Sequence, residues 1–218
     1  MAESRKYRSI RAIVDFLFHL LARIEVVGAE KVPQEGTLII AINHVSRLDS
    51  ALIGITTSRH IYAFAAAKYK SYPLFRWILE AAGAIWVRRT DFDREALLKA
   101  IELLRQGETL GIAPEGTRSP TGALQQGKAG VAFLAARTGA TILPVGLTGT
   151  QHMLRDFKRL RRMRVRVVYG EPFRLPKEGR LTSEELQEAT TLIMRRIAAL
   201  LPPEYQGVYA DEEGLFTA

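Results

Sequence analysis

The sequence predicts an α/β fold in which a single, mostly parallel sheet is flanked by helices. Short apolar runs of strand length alternate with longer segments of helical periodicity, and this alternation is typical of parallel sheets. The 218 residues are 47% hydrophobic and 25% charged. This composition supports a packed core and excludes a disordered chain. The chain has no cysteine, which excludes disulfides, thiolate zinc sites and a cysteine nucleophile.

Short apolar runs mark the expected strands. We expect strands over 37–42, 84–87, 109–113, 141–145 and 163–169. Apolar residues at helical spacing predict helices over 50–57, 91–106, 128–138 and 181–201.

A further amphipathic helix is predicted over 8–24, ahead of the first strand. Its polar residues recur at every fourth position, namely Arg11, Asp15, His19 and Arg23. The remaining positions form a wide apolar face. Such a face is buried either against the protein or in a membrane interface, and both alternatives stay open. The basic residues Arg5, Lys6 and Arg8 favour anionic lipid headgroups.

These segments predict three parts of the chain. Residues 1–26 form the N-terminal amphipathic helix, residues 27–205 form one domain, and residues 206–218 form a C-terminal tail. We expect neither an ordinary transmembrane helix nor a signal peptide, because long charge-free apolar runs and a small-residue cleavage site are both missing.

The net charge of +8 is concentrated between Gln151 and Arg180, where ten basic residues accompany three acidic ones. Such a surface suits phosphate groups, an anionic membrane, an acidic carrier protein or nucleic acid, and a merely solvated face is the alternative. Aromatic residues that could stack on bases are few here, so nucleic acid is disfavoured.

Polar clusters directly follow three of the expected strands. They are Asn43–Asp49, Arg88–Arg89 and Pro114–Ser119. Because sites form at the carboxyl ends of parallel strands, these clusters predict a reaction centre at one edge of the sheet.

His44 and Asp49 are the candidate base and its partner. A carboxylate on one ring nitrogen fixes the tautomer and leaves the other nitrogen free to accept a proton. Five residues apart on a regular helix, the two side chains would differ by about 140° in direction. We therefore expect His44 in a turn and Asp49 in the first turn of the next helix. As an alternative, Ser46 and Asp49 fit a capping box that only starts this helix.

The polar clusters resemble the motifs of one enzyme superfamily. Asn43-His44 followed by Asp49 resembles the NHxxxxD motif of the glycerol-3-phosphate and lysophosphatidate acyltransferases, the PlsC-like superfamily. Three further motifs of that superfamily are similar to Gly83–Arg89, Pro114–Ser119 and Ile142–Val145. Lys128 and Gly130 resemble its lysine-x-glycine helix start. Four motifs in order over residues 43–145 make this resemblance specific, and it implies the glycerol-3-phosphate acyltransferase-like fold.

The resemblance implies a 1-acylglycerol-3-phosphate O-acyltransferase that forms phosphatidic acid. His44 would deprotonate the acceptor hydroxyl, which then attacks an acyl-CoA or acyl-carrier-protein thioester. No metal ion or cofactor is expected. The alternatives are the same chemistry on glycerol-3-phosphate or another lysolipid, and a non-catalytic, basic membrane-binding module.

Substrate binding is expected from seven residues, namely Asn43, Arg89, Glu115, Gly116, Thr117, Arg118 and Lys128. Arg89 and Arg118 suit the acceptor phosphate, because a guanidinium matches phosphate oxygens at two points. Glu115 is expected to orient Arg118 or to bind an acceptor hydroxyl, and Gly116 would let the backbone approach the phosphate. We expect the enzyme at the cytoplasmic face of the membrane, peripheral or interfacially anchored, with the basic stretch 155–166 against the membrane or an acidic donor.

Overall fold

The computed structural model describes residues 5–88, 93–159 and 161–210, which form alternating helices and strands. The helices are α1 Arg5–Leu21, α2 Asp49–Thr56, α3 Pro73–Ala81, α4 Arg94–Arg105, α5 Gly130–Thr138, α6 Met153–Lys158, α7 Ser183–Ala198 and α8 Pro203–Gln206. The strands are β1 Ala22–Val27, β2 Leu38–Ile42, β3 Ile61–Ala66, β4 Ile85–Val87, β5 Thr109–Ile112, β6 Thr141–Thr148 and β7 Met163–Tyr169. Short 3-10 helices lie at Ala29–Lys31, Ala67–Ser71, Thr150–His152 and Gly207–Tyr209.

One seven-stranded sheet carries the fold, in the order β1-β7-β6-β2-β5-β3-β4. Neighbouring strands are parallel except for β6 and β7, which pair antiparallel. The predicted single, mostly parallel sheet flanked by helices is therefore confirmed. The central strand β2 is buried along its whole length between β6 and β5. The carboxyl ends of these three strands meet at one edge, where the polar clusters follow them.

Two apolar layers cover the sheet. On one side, which we call the α1 face, Phe18 of α1 and Leu52 of α2 pack against inward residues of β2, β6 and β7. On the other side, the α7 face, buried residues of α4, α5 and α7 pack together, among them Ala100, Leu134 and Ile193. This three-layer arrangement explains the nearly wholly apolar sequence of α5, whose residues are buried between the sheet and α7.

The prediction of a helix over 8–24 is wrong at the carboxyl end of the helix. The helix ends at Leu21, and Ala22–Val27 form β1, which pairs with β7 along its length. Residues 22–26, assigned above to the N-terminal helix, therefore belong to the sheet. Their alternation of apolar and charged residues has the period of a strand, but six residues are too few to separate it from the helical pattern before it.

Four further helices and strands were not predicted, namely β3, α3, α6 and α8. β3 is rich in alanine, which lacks the β-branched signature of a strand. α3 turns large apolar residues outward, so its pattern lacks an ordinary polar face. The predicted helices over 50–57, 91–106, 128–138 and 181–201 correspond to α2, α4, α5 and α7 with shifted ends, and residues 91–92 lie outside the described residues.

α1 docks on the domain and still exposes an apolar surface. Tyr7 and Phe18 are buried, and the Arg11 guanidinium donates to the Thr57 carbonyl at 2.7 Å. Arg162 donates to the carbonyls of His19 and Ala22, which lie where α1 ends. Of the two alternatives drawn from the sequence, docking on the protein therefore applies to one side of the helix, and the other side is exposed. No helix within the described ranges is long and apolar enough to cross a membrane.

Candidate active site

The turn between β2 and α2 brings His44 and Asp49 together. β2 ends at Ile42, α2 begins at Asp49, and the His44 Nδ1 lies 2.9 Å from the Asp49 Oδ2. The Asp49 side chain is 0% exposed and that of His44 is 18% exposed. With a carboxylate on Nδ1, the Nε2 lone pair is left to face a substrate hydroxyl. The turn expected from the five-residue offset is present.

The Asp49 carboxylate holds the turn before α2 as well as the histidine. Its Oδ2 also accepts the backbone N–H groups of Val45 at 2.8 Å and Ser46 at 2.7 Å. The capping box expected from Ser46 and Asp49 is not formed, because Leu48 is the N-cap of α2 without a side-chain cap, and the Ser46 hydroxyl accepts the Leu48 N–H. The Oδ1 accepts the hydroxyl of Thr150 at 2.6 Å. Of the two interpretations offered by the sequence, the pairing of Asp49 with His44 is observed and the capping box is not.

Asn43 is buried, and its amide pairs with a neighbouring strand. Its side-chain amide donates to the Leu147 carbonyl at 2.9 Å and accepts the Leu147 N–H at 2.7 Å. Both polar ends of the amide are engaged, so the expected substrate contact of Asn43 is corrected to a structural one. The side chain ties the end of β2 to β6, directly beside His44.

Glu115 also turns inward, away from the expected arginine. The residue is 2% exposed, its Oε1 accepts the His44 N–H at 2.8 Å, and its Oε2 accepts the Gln125 N–H at 3.0 Å. The Ser119 N–H donates to the His44 carbonyl at 2.7 Å. The loop after β5 thus holds both backbone polar groups of His44. Sequence reasoning missed this role because a loop residue gives no sign of the direction of its side chain.

The residues that follow Glu115 face the solvent. Gly116, Thr117 and Arg118 are exposed. Gly116 has φ +70°, and a Cβ added there would lie 3.2 Å from the Lys128 Nζ. The absent side chain of Gly116 therefore leaves room for Lys128 to fold over the loop. Arg89 lies outside the described residues, while its neighbour Arg88 is exposed and its backbone N–H donates to Asp93.

A cavity of about 580 Å³ opens at His44, with Gly116 and Lys128 on its wall. This volume is in the range of small-molecule pockets. The cavity runs between α1, α2, α3 and the strands β3 and β5, and its walls are mostly apolar, as at Ile10, Val14, Ile61, Phe64, Ile78 and Leu79. Arg47, for which no role is predicted from the sequence, also lines the cavity. The sequence did not reveal the cavity, because β3 and α3 were not predicted.

Part of the expected C-terminal tail packs on the site loop. The Leu124 N–H donates to the Tyr205 carbonyl at 2.8 Å, and the Val208 N–H donates to the Leu124 carbonyl. The Gly127 N–H donates to the Tyr209 hydroxyl at 3.0 Å. Residues 206–210 are therefore part of the folded domain, and they support the loop that carries Glu115 and Lys128.

The described residues thus combine a histidine–carboxylate pair with an apolar cavity and cationic side chains. Residues 23–148 match the family model described as Acyltransferase, and the chain belongs to this family. The chain is 33% identical over 132 residues to a 1-acyl-sn-glycerol-3-phosphate acyltransferase of Borreliella burgdorferi, covering 60% of this chain and 53% of that protein. It is 28% identical over 167 residues to the chloroplastic acyltransferase LPAT1 of Arabidopsis thaliana, covering 74% and 47%.

A solved structure is similar over most of the chain. The crystal structure of the 1-acyl-sn-glycerophosphate (LPA) acyltransferase PlsC from Thermotoga maritima matches with a TM-score of 0.70 and 26% identity, covering 89% of this chain and 78% of that one. The chain spans about half the length of the Borreliella and Arabidopsis relatives. These comparisons confirm the PlsC-like superfamily and its fold.

The buried Glu115 predicts a pH-dependent stability. Burial raises the pKa of Glu115 above its ordinary value of 4.5, although N–H groups of Gln125 and His44 favour the ionised form. Between pH 4.5 and the raised pKa the folded protein holds a proton that the unfolded chain has lost, so stability falls as pH rises. We expect the free energy of unfolding of the wild type, relative to Glu115→Gln, to decrease as pH rises from 4.5. Urea unfolding of both proteins across this window measures the difference, and a constant difference would contradict the assignment.

Proposed function

We propose that the protein transfers a fatty acyl group from a thioester to the free hydroxyl of a 1-acylglycerol-3-phosphate, forming phosphatidic acid. The observation that carries this proposal is the His44–Asp49 pair, 2.9 Å apart, at the mouth of an apolar cavity. The names of the relatives support it, as does the match to the solved PlsC structure.

In the proposed reaction His44 is a general base. Its Nε2 takes the proton of the acceptor hydroxyl while the oxygen attacks the thioester carbonyl. The tetrahedral intermediate then expels the thiolate, which receives the proton from His44 and leaves as a thiol. The Asp49 carboxylate stabilises the imidazolium between these two steps. The reaction needs no covalent enzyme intermediate, no metal ion and no cofactor.

The acceptor phosphate is proposed to bind to cations at the cavity mouth. Lys128 lies over Gly116 on the wall next to His44, and Arg118 is exposed two residues beyond Gly116. Arg89 is proposed as a third phosphate ligand on the strength of its motif alone. Phosphate recognition suits glycerol-3-phosphate or another lysolipid as well, so the acceptor is the part of the proposal that assays have to decide.

His44→Ala is expected to lower the rate of thiol release by about 10²–10⁴-fold, because general-base catalysis contributes a factor of this size. The assay follows the free thiol formed from acyl-CoA with lysophosphatidate, glycerol-3-phosphate or another lysolipid as acceptor. His19→Ala is the matched control, since His19 is an exposed histidine of the same chain.

Two results would count against the proposal. Full activity of His44→Ala would overturn the mechanism. A folded wild type that releases no thiol with any of these acceptors, from either acyl-CoA or acyl-carrier protein, would favour a non-catalytic membrane-binding module.

The exposed apolar surface of α1 and α3 is proposed to lie in the membrane interface. α3 lies beside α1, and the large exposed apolar side chains of the two segments are Ile13, Phe16, Leu17, Leu20, Leu21, Tyr72, Leu74, Phe75 and Trp77. Lys68 and Lys70 precede α3, as basic residues precede the apolar part of α1. Amphipathic helices with basic flanks bind anionic lipid surfaces, which are typical of the cytoplasmic leaflet. This apolar face also adjoins the cavity, which α1 and α3 help to line.

Phe75→Glu with Trp77→Glu is expected to weaken binding to anionic vesicles at least about tenfold, because each aromatic side chain loses its burial in lipid. The control is Leu98→Glu, since Leu98 is 53% exposed but lies on α4, on the opposite side of the sheet. Vesicle flotation measures binding. Equal binding of the double variant and the wild type would contradict the assignment of this face.

A basic surface lies on the other side of the sheet. Met163, Val165 and Val167 of β7 pack into the α1 face, so the alternating Arg164 and Arg166 point to the opposite side. Arg23 of β1 stands in register with Arg164, and like charges in direct opposition are unfavourable. Lys158, Arg159 and Arg161, just before β7 in the chain, are exposed as well. We name Arg23, Lys158, Arg159, Arg161, Arg164 and Arg166 the basic face, in which Arg166 is paired with Glu25 at 3.0 Å.

The basic face is proposed to receive an acidic acyl-carrier protein as the donor. It points away from the apolar face, and therefore toward water when the apolar face is in a membrane. The start of β7 lies at the same sheet edge as His44, and β7 is two strand spacings, about 10 Å, from β2. Arg162, which the sequence placed in the basic stretch, instead donates to carbonyls at the end of α1.

Arg161→Glu with Arg164→Glu is expected to raise the KM for acyl-carrier protein about tenfold, because complementary charge drives the encounter. The KM for acyl-CoA should change less. Arg105→Glu with Arg180→Glu is the control, since these exposed arginines lie away from β7. Equal KM values for carrier protein in both double variants would overturn the docking surface. Activity with acyl-CoA but not with carrier protein would also overturn the docking surface. That result would not contradict the proposed acyltransferase function.

A further inference from the structure

Thr150 lies in the 3-10 helix that directly follows β6, outside the four motifs that the sequence singles out. It is 0% exposed, and its hydroxyl donates to the Asp49 Oδ1 at 2.6 Å. The other carboxylate oxygen, Oδ2, receives His44, Val45 and Ser46. Thr150 therefore holds the oxygen of Asp49 that does not face the histidine.

The backbone leaves Thr150 little freedom to move. The preceding Gly149 has φ +93°, and a Cβ added there would lie 1.9 Å from the Arg164 carbonyl oxygen. Only a glycine fits this close approach of the turn to β7. Because β6 pairs with β2 in register through Val145 and Ile42, the end of β6 is held beside the β2–α2 turn. The hydroxyl of Thr150 is thus presented to Asp49 by the sheet itself.

We propose that Thr150 is a positioning residue of the acyl transfer, which acts through Asp49 to hold the imidazole of His44 in its reactive orientation. This inference rests on the proposed function. A carboxylate turns about a single soft torsion, and its plane leaves the donors when it turns. Three donors on Oδ2 and one on Oδ1 select one orientation of the group, with Oδ2 directed at the His44 Nδ1.

The physical reason is the cost of an unpaired buried charge. Loss of the hydroxyl would leave Oδ1 buried without its donor, and such an atom is unfavourable by more than the hydrogen bond itself contributes. The carboxylate would turn toward other donors and release the imidazole. A valine at this position keeps the shape of threonine and removes only the donor.

The decisive comparison is among Thr150→Val, Thr150→Ser and the wild type. In Thr150→Val we expect kcat to fall about 10- to 100-fold, the factor that corresponds to one hydrogen bond to a charged group. The KM values for donor and acceptor should stay within about twofold, because Thr150 does not line the cavity. Thr150→Ser should recover most of the rate, since serine retains the donor.

Thr190→Val is the matched control for removal of a buried hydroxyl. Thr190 is 2% exposed, and its hydroxyl donates to the Leu186 carbonyl within α7, remote from Asp49. Equal kcat values for Thr150→Val and Thr190→Val would overturn the proposal, as would a Thr150→Ser variant as slow as Thr150→Val.

A second measurement does not depend on activity. The proton on the His44 Nδ1 gives a low-field NMR resonance when it is held by the Asp49 carboxylate. We expect this resonance to shift or broaden in Thr150→Val and to persist in Thr150→Ser and Thr190→Val. An unchanged resonance in Thr150→Val would overturn the positioning role, whether or not the protein acylates any acceptor tested. Absence of acylation would count separately against the proposed function.

Discussion

The buried carboxylate of Asp49 is the constraint around which the site is built. A carboxylate without solvent is tolerated only when hydrogen-bond donors replace its water. Here the donors come from a ring nitrogen, two backbone N–H groups of one turn and the hydroxyl of Thr150. Three of them lie within five residues of Asp49, and the fourth comes from beyond the next strand of the sheet. The local turn and the long-range register of β2 with β6 therefore have to be correct together.

Glu115 repeats the same principle on the other side of His44. It too is buried, and it accepts the His44 N–H and the Gln125 N–H. Asp49 holds the ring of His44 and Glu115 holds its backbone, so the histidine is restrained from the start of α2 and from the loop after β5 at once. If His44 acts as the proposed base, this restraint leaves it little orientational entropy to lose when a substrate arrives. The two acidic residues of the motifs thus act on one histidine by different routes.

The two proposed partners approach opposite sides of the sheet. α1 and α3 expose apolar side chains on one side, and the cavity that begins at His44 runs beneath them. The arginines of β1 and β7 face the other side. A lipid acceptor and a water-soluble donor would accordingly approach from opposite directions and meet at the carboxyl edge of the sheet. Arg162 contributes to neither surface and instead holds the end of α1 in place.

The sequence by itself determined the sheet class, most of the strands, the turn at His44 and the motif clusters, because these depend on local periodicity and short spacing. The tertiary structure alone decided that Asn43 and Glu115 point inward, that Thr150 completes the Asp49 site, and that residues 206–210 support the loop. It alone also revealed β3, α3 and the cavity between them. These features depend on contacts between segments far apart in the chain. The direction of a loop side chain is set by such distant partners, and the residues next to it in sequence do not specify them.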